Sequence, residues 1–151
     1  MQSVKHSVAV VVRDERGWFL VVRRPEDPRD PLAGVWGLPA VTLRAGEDER
    51  AAAGRVGRDK LGVTLRVGRK IGEKTADRGD YLLRLSDYEA TVAHGTPAVP
   101  QNDPAVTQYA ESRFTDDPAA LAEAAGKGSL CAQVFLECQS GSITYSPWTS
   151  S

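Results

Sequence analysis

Residues 38–63 read LPAVTLRAGEDERAAAGRVGRDKLGV, and the side chains in this stretch suit phosphate chemistry. Glu47, Asp48, Glu49 and Asp59 supply carboxylates, the hard oxygen donors that small divalent cations prefer. Arg55 supplies a planar fork of N–H donors that matches a phosphate or a carboxylate. Arg55 and Asp59 are four residues apart, as are Val56 and Lys60, so in a helix each pair shares one face. The first stripe therefore pairs opposite charges. The second carries no anionic oxygen, and its ammonium repels a divalent cation instead of coordinating it. A second group of candidates precedes this stretch. Arg23 and Arg24 suit phosphate, and Trp36 suits a stacked base. The plainer alternatives are a strand-end charge for Arg23 and a core aromatic for Trp36.

These residues need elements to hold them. Residues 47–61 form the best helix candidate. Acids fill the first turn, where the helix dipole favours negative charge, Ala51 to Ala53 have high helix propensity, and Gly62 is placed to terminate it. Gly54 and Gly57 inside it imply either a weak helix or close approach of a neighbour. Residues 5–13 are continuously β-branched and read as a buried strand, with residues 18–23 returning as its hairpin partner after the turn at 14–17. Residues 24–34 hold three prolines and form a surface loop, followed by a short extended piece at 35–39. Residues 63–72, 80–93 and 107–115 read as strands and residues 119–125 as a second helix, started by Asp117 and Pro118. Residues 129–138 are apolar and of open type. Strands and helices do not alternate as short β-α-β repeats, so an α/β chain of this order calls for a mixed sheet.

The pattern in residues 38–63 resembles the Nudix family, whose box reads G-x5-E-x7-R-E-U-x-E-E-x-G-U with U a bulky aliphatic residue. Glu47, Arg55, Gly62 and Val63 fall on matching positions. Val41 replaces the leading glycine, Val56 the glutamate after the arginine, Gly57 the aliphatic residue, and Asp59 and Lys60 the paired acids. The resemblance implies an α/β/α sandwich around a mixed sheet. It also implies hydrolysis of a nucleoside diphosphate linked to another group, with a modified nucleoside triphosphate as one form of substrate. In such enzymes Mg2+ or Mn2+ sits on the diphosphate, held by box carboxylates, and acids outside the box assist. By that resemblance Glu47 and Asp59 are the metal candidates, and Glu47, Arg55, Asp59 and Glu111 the catalytic set. Asp103, Glu73, Asp77 and Asp80 are further acids outside the box. Arg23, Arg24, Trp36 and Lys60 are the substrate-binding candidates. The segment VVRRP…PLAGVWGLP is similar to the oxidised-nucleotide branch of the family. It is also similar to the Nudix-like recognition domain of some adenine glycosylases, which reads a damaged base without hydrolysis. Three readings of the helix stay open: a structural helix alone, a rearranged metal site on Glu47 and Asp59, and a metal-independent anion site built on Lys60. The second corresponds to an impaired hydrolase. The third corresponds to a catalytically silent nucleotide-binding or protein-interaction module.

The rest of the composition narrows the classes. With 151 residues the chain has the length of one domain, expected over residues 1–140 with a flexible tail at 141–151. The net charge of −1 gives no overall basic field for nucleic acid. No apolar run reaches the roughly 18 residues of a membrane span. Cys131 and Cys138 read as free thiols, and neither His6 nor His94 has zinc-ligand spacing to them. A cytoplasmic protein with a small-molecule nucleotide partner is the expectation; its oligomeric state is open, with a homodimer as one option.

Overall fold

The computed structural model describes residues 2–101 and 108–139. Asp103 and the tail at 141–151 lie outside the described residues. Seven strands form one sheet: β1 (Ser3–Arg13), β2 (Phe19–Arg23), β3 (Trp36–Gly37), β4 (Ala40–Thr42), β5 (Thr64–Asp77), β6 (Tyr81–His94) and β7 (Glu111–Thr115). The central order is β3-β2-β1-β6-β5, with β4 on β1 and β7 on β2. Only β1 and β6 run parallel, so the sheet is mixed.

The continuous valine run of β1 is explained by burial on both faces. Val8, Val10 and Val12 pack with Ala52, Ala53, Val56 and Leu61 of the first helical segment. Ala9 and Val11 face the other way, toward Leu121, Leu130 and Phe135. Helices therefore cover both sides, α1 (Glu49–Val56) on one and α2 (Ala122–Gly126) with α3 (Leu130–Gln139) on the other. The apolar stretch of open type is thus α3, and its buried residues Leu130, Val134 and Phe135 fall at helical spacing.

The first helix starts two residues later than its sequence expectation and ends at Leu61 as expected, with its last turn of a different type. It begins at Glu49 because Asp48 is its N-cap, accepting from the Ala51 amide at 2.8 Å. Its last turn, Gly57–Leu61, is π-helical, and Gly62 ends it in the left-handed region at φ 71°. Gly57 is required by close approach: a β-carbon there would lie 2.6 Å from Leu65 Cγ and 2.9 Å from the Val63 carbonyl oxygen. Leu65 thus fills the space that an aliphatic side chain at position 57 would occupy. Of the strand expected at 107–115, residue 107 lies outside the described residues and β7 runs over Glu111–Thr115, while β5 and β6 extend beyond their expected ends as a long hairpin.

The start of α1 is fastened to the sheet through Glu49. Its carboxylate accepts from the Ser86 hydroxyl at 2.8 Å and the Tyr88 hydroxyl at 2.8 Å, and meets His6 Nε2 at 2.6 Å and Lys70 Nζ at 3.1 Å. Burial opposes its ionisation, yet the donors from Ser86, Tyr88, His6 and Lys70 outweigh it and hold the carboxyl down to about 2. Glu47 is held to about 2 chiefly by the Arg55 guanidinium. Both groups titrate lower in the folded chain than in the unfolded one. Their stabilisation is therefore complete above a pH of about 4.5 and is lost as pH falls towards about 2. Together they should contribute roughly 2–4 kcal/mol. Urea unfolding midpoints are expected to drop across that window, less steeply in Glu49→Gln. A native protein equally stable at pH 5 and pH 2.5 would contradict this account.

Candidate nucleotide-binding cleft

A cleft of about 530 Å³ opens where β1 changes partner. Near Arg13 the strand pairs with β2, but Ser7, Val8 and Ala9 pair with β4 at Thr42, Val41 and Ala40. Tyr109 plugs this fork. Its hydroxyl accepts from the Ala40 amide at 2.9 Å, and burial raises its own ionisation to about 12. The walls come from the opening of β1 and β6, the proline-rich loop after β2, and the turn between α2 and α3. Five cations line the cleft: Lys5, Arg24, Lys60, Arg78 and Lys127. Among the described residues no aspartate or glutamate lines it. The chain as a whole has 19 basic and 20 acidic residues, so this segregation is a property of the fold and not of the composition.

Lys60 is the innermost of these cations. It is 7% exposed, with its ammonium 5.1 Å from the centre of the Tyr109 ring. Burial lowers its proton affinity, as do the charges of Arg24 and Arg55, and Asp59 opposes them. Arg24 is about half exposed, 3.4 Å from Asp30, and its charge acts on Lys60.

The matching residues of the box lie next to the cleft but are engaged with each other. Arg55 is 6% exposed and donates to both oxygens of Glu47, at 2.9 Å and 3.0 Å. It also donates to Asp59 at 3.3 Å and to the Thr42 carbonyl at 2.8 Å. Arg44 approaches Asp59 at 3.6 Å. One guanidinium thus holds both carboxylates named as metal candidates. Val56 is fully buried in the core against α1's face of the sheet. The stripe expected to carry Val56 and Lys60 together is therefore divided between core and cleft.

This donor set does not fit a divalent metal held in the box manner. Such a cation needs several oxygens converging from open carboxylates. Here Val56 offers none, Lys60 is cationic, and Glu47 and Asp59 are neutralised by Arg55. Among the described residues no group of three His, Cys, Asp or Glu side chains could hold a metal ion.

The remaining candidates lie elsewhere. Arg23 and Glu111 face each other across β2 and β7, with Arg23 Nε 2.5 Å from Glu111 Oε1. Neither is among the residues lining the cleft. Trp36 is half-buried beside it, with the Arg113 guanidinium 4.5 Å from its ring. It borders a smaller pocket shared with Arg24, Tyr109 and Cys131. Glu73 pairs with Lys70 and Arg84, and Asp77 caps the β5–β6 turn at Gly79. Both cysteines are free. Behind the cleft Asp87 is fully buried without a hydrogen-bond partner among the described residues, and burial raises its carboxyl well above the usual range. The adjacent Cys131 thiol is pushed up to about 11 by burial and by Asp87.

Lys5, Arg78, Lys127 and Tyr109 were not legible as site residues, since three of them sit in separate elements that only the fold brings together. The one available signal was the alternation in β1, which places Lys5 on the same face as Ser7.

A mixed sheet between helical layers, with a cleft at the fork of its central strand, defines the class as an α/β/α sandwich. The NUDIX domain family model matches residues 4–118, and the chain belongs to the Nudix family. Over 81 residues it is 38% identical to a Mycobacterium tuberculosis protein named "Putative 8-oxo-dGTP diphosphatase 2", covering 52% of this chain and 55% of that one. The chain thus spans about half the length of the curated relatives it matches. In three dimensions it is similar to the E. coli ORF135 protein, with a TM-score of 0.72 and 18% identity over 95% of this chain and 96% of that one. It is also similar to a MutT protein from Methanosarcina mazei Go1, with a TM-score of 0.68 and 18% identity over 95% and 98%. No helix among the described residues is long and apolar enough to cross a membrane.

Proposed function

We propose that this Nudix-fold chain binds a phosphorylated nucleotide through cations of its own in place of a metal, as a nucleotide-binding module with little or no hydrolytic turnover. The observation that carries this reading is the buried Lys60, at a box position where an acid is expected, facing a cleft lined by cations. An ammonium and a guanidinium meet phosphate oxygens directly, whereas a metal bridge would need the carboxylates that Arg55 holds. Lys60 and Arg24 are the proposed phosphate ligands, with Trp36 at the edge of the base-binding region.

The test is calorimetric titration of ADP into the protein, in EDTA and again in Mg2+. The expected result is binding in EDTA with an affinity within threefold of that in Mg2+. Binding should also weaken with rising pH earlier than an ordinary lysine would dictate, because Lys60 loses its proton more readily. Binding that appears only with Mg2+ would overturn the reading.

A second reading is a Nudix pyrophosphohydrolase with a rearranged Mg2+ or Mn2+ site. It is supported by the family membership and by the diphosphatase name of the M. tuberculosis relative. Glu47 and Asp59, with Glu111 as an auxiliary acid, are its proposed residues. It requires that metal displace the Arg55 pairing. Metal-dependent phosphate release from modified nucleoside triphosphates, lost in Asp59→Asn, would establish it over the first.

A further inference from the structure

The cations of the cleft fall into two groups. Lys60 and Arg24 mark the inner end, beside Tyr109 and the Ala40 level of the fork. Lys5, Arg78 and Lys127 mark the outer end, and each comes from a different element: β1, the β5–β6 turn and the α2–α3 turn. Ala40 pairs with Ala9, four residues along β1 from Lys5. At about 3.3 Å per residue the two ends are roughly 13 Å apart. The rest of the lining mixes apolar Leu32, Leu83, Leu85 and Leu130 with polar Ser7, Thr42 and Ser129.

The outer group is positioned, not scattered. Arg78 donates to the Gly128 carbonyl at 2.7 Å, which ties the β5–β6 turn to the α2–α3 turn and uses one of five guanidinium donors. Lys5 lies 5.7 Å from the centre of the Tyr81 ring. Lys127 pairs with Glu123 at 3.1 Å, an exposed i,i+4 contact of little strength that an anion can displace. One phosphoryl group at the inner end leaves these three cations unused. A volume of about 530 Å³ has room for a small organic ligand reaching both ends.

We infer that the ligand is a nucleotide anionic at both ends, with one phosphoryl group at Lys60 and Arg24 and a second anionic group at Lys5, Arg78 and Lys127. This rests on the nucleotide-binding reading of the same cleft and names its ligand class.

The experiment compares three probes by calorimetry in EDTA: ADP, a dinucleotide phosphorylated at its 5′ end only, and the same dinucleotide phosphorylated at both its 5′ and 3′ ends. The 3′ phosphate is expected to raise affinity at least tenfold. The Lys5→Ser/Arg78→Ser/Lys127→Ser variant should lose that gain, and all three side chains are exposed, so folding should survive, as a thermal melt will show. If the triple variant does not fold, the native protein still decides, since the gain must shrink as salt rises from 0.05 to about 0.5 M by screening. ADP binding with a 3′-phosphate gain below threefold, or a gain that persists in the triple variant or at high salt, would overturn the inference and leave the nucleotide-binding reading standing. Failure of all three probes to bind would overturn both.

Discussion

Arg55→Met is expected to lose about 3–5 kcal/mol of folding stability, the largest effect of any single substitution in this region. Arg55 is 6% exposed and holds Glu47 through two hydrogen bonds, Asp59 through one and the Thr42 carbonyl through another. Removing it leaves two poorly solvated carboxylates facing each other and a backbone acceptor without its donor. Methionine keeps most of the volume, so the loss reports charge and hydrogen bonding more than a cavity. The dependence on pH separates the two. Without Arg55 the Glu47 carboxyl is no longer held near 2, so the variant should recover part of its deficit as pH is lowered from 7 to about 4 and the acids are protonated. Urea unfolding of both proteins at the two pH values is the measurement. A loss under 1 kcal/mol at pH 7 would show that the Arg55 network is not a structural clamp.

Lys60→Glu should abolish chelator-insensitive nucleotide binding, by a hundredfold or more in Kd, which corresponds to about 2.7 kcal/mol. The substitution replaces an attractive charge with a repulsive one in a confined, poorly solvated cleft, where screening is weak. It also places a second carboxylate next to Asp59, within the field of Arg55. If the box architecture is intact, Mg2+ affinity rises as nucleotide binding in EDTA falls. Equal ADP affinity in the native and Lys60→Glu proteins would remove Lys60 from the site. The companion back-substitution Val56→Glu is less informative. Val56 is fully buried, and a carboxylate there is destabilising whatever its effect on metal.

Much of this protein is written in local sequence. Continuous β-branching in residues 5–13 specified a strand buried on both faces, and the acids of the first turn, the alanines and Gly62 specified the helix that follows β4. The box pattern specified the family, because Glu47, Arg55 and Gly62 keep the spacing that their fold requires. Three matters were settled only by tertiary structure. Whether a substituted side chain enters the core or the cleft depends on what packs against it, and spacing alone put Val56 and Lys60 on one stripe that the fold divides. Whether a carboxylate is open to a metal depends on its neighbours, and Arg55 reaches Glu47 from eight residues away to hold both candidate acids. The cleft itself is long-range: Lys5, Lys60, Arg78 and Lys127 are far apart in the chain, and they converge because β1 exchanges β2 for β4 and because Arg78 fastens one turn to another. Local propensities fix the elements, since backbone torsions and hydrophobic periodicity act over a few residues. The field inside the cleft is a sum over distant charges, and only the folded chain brings those charges together.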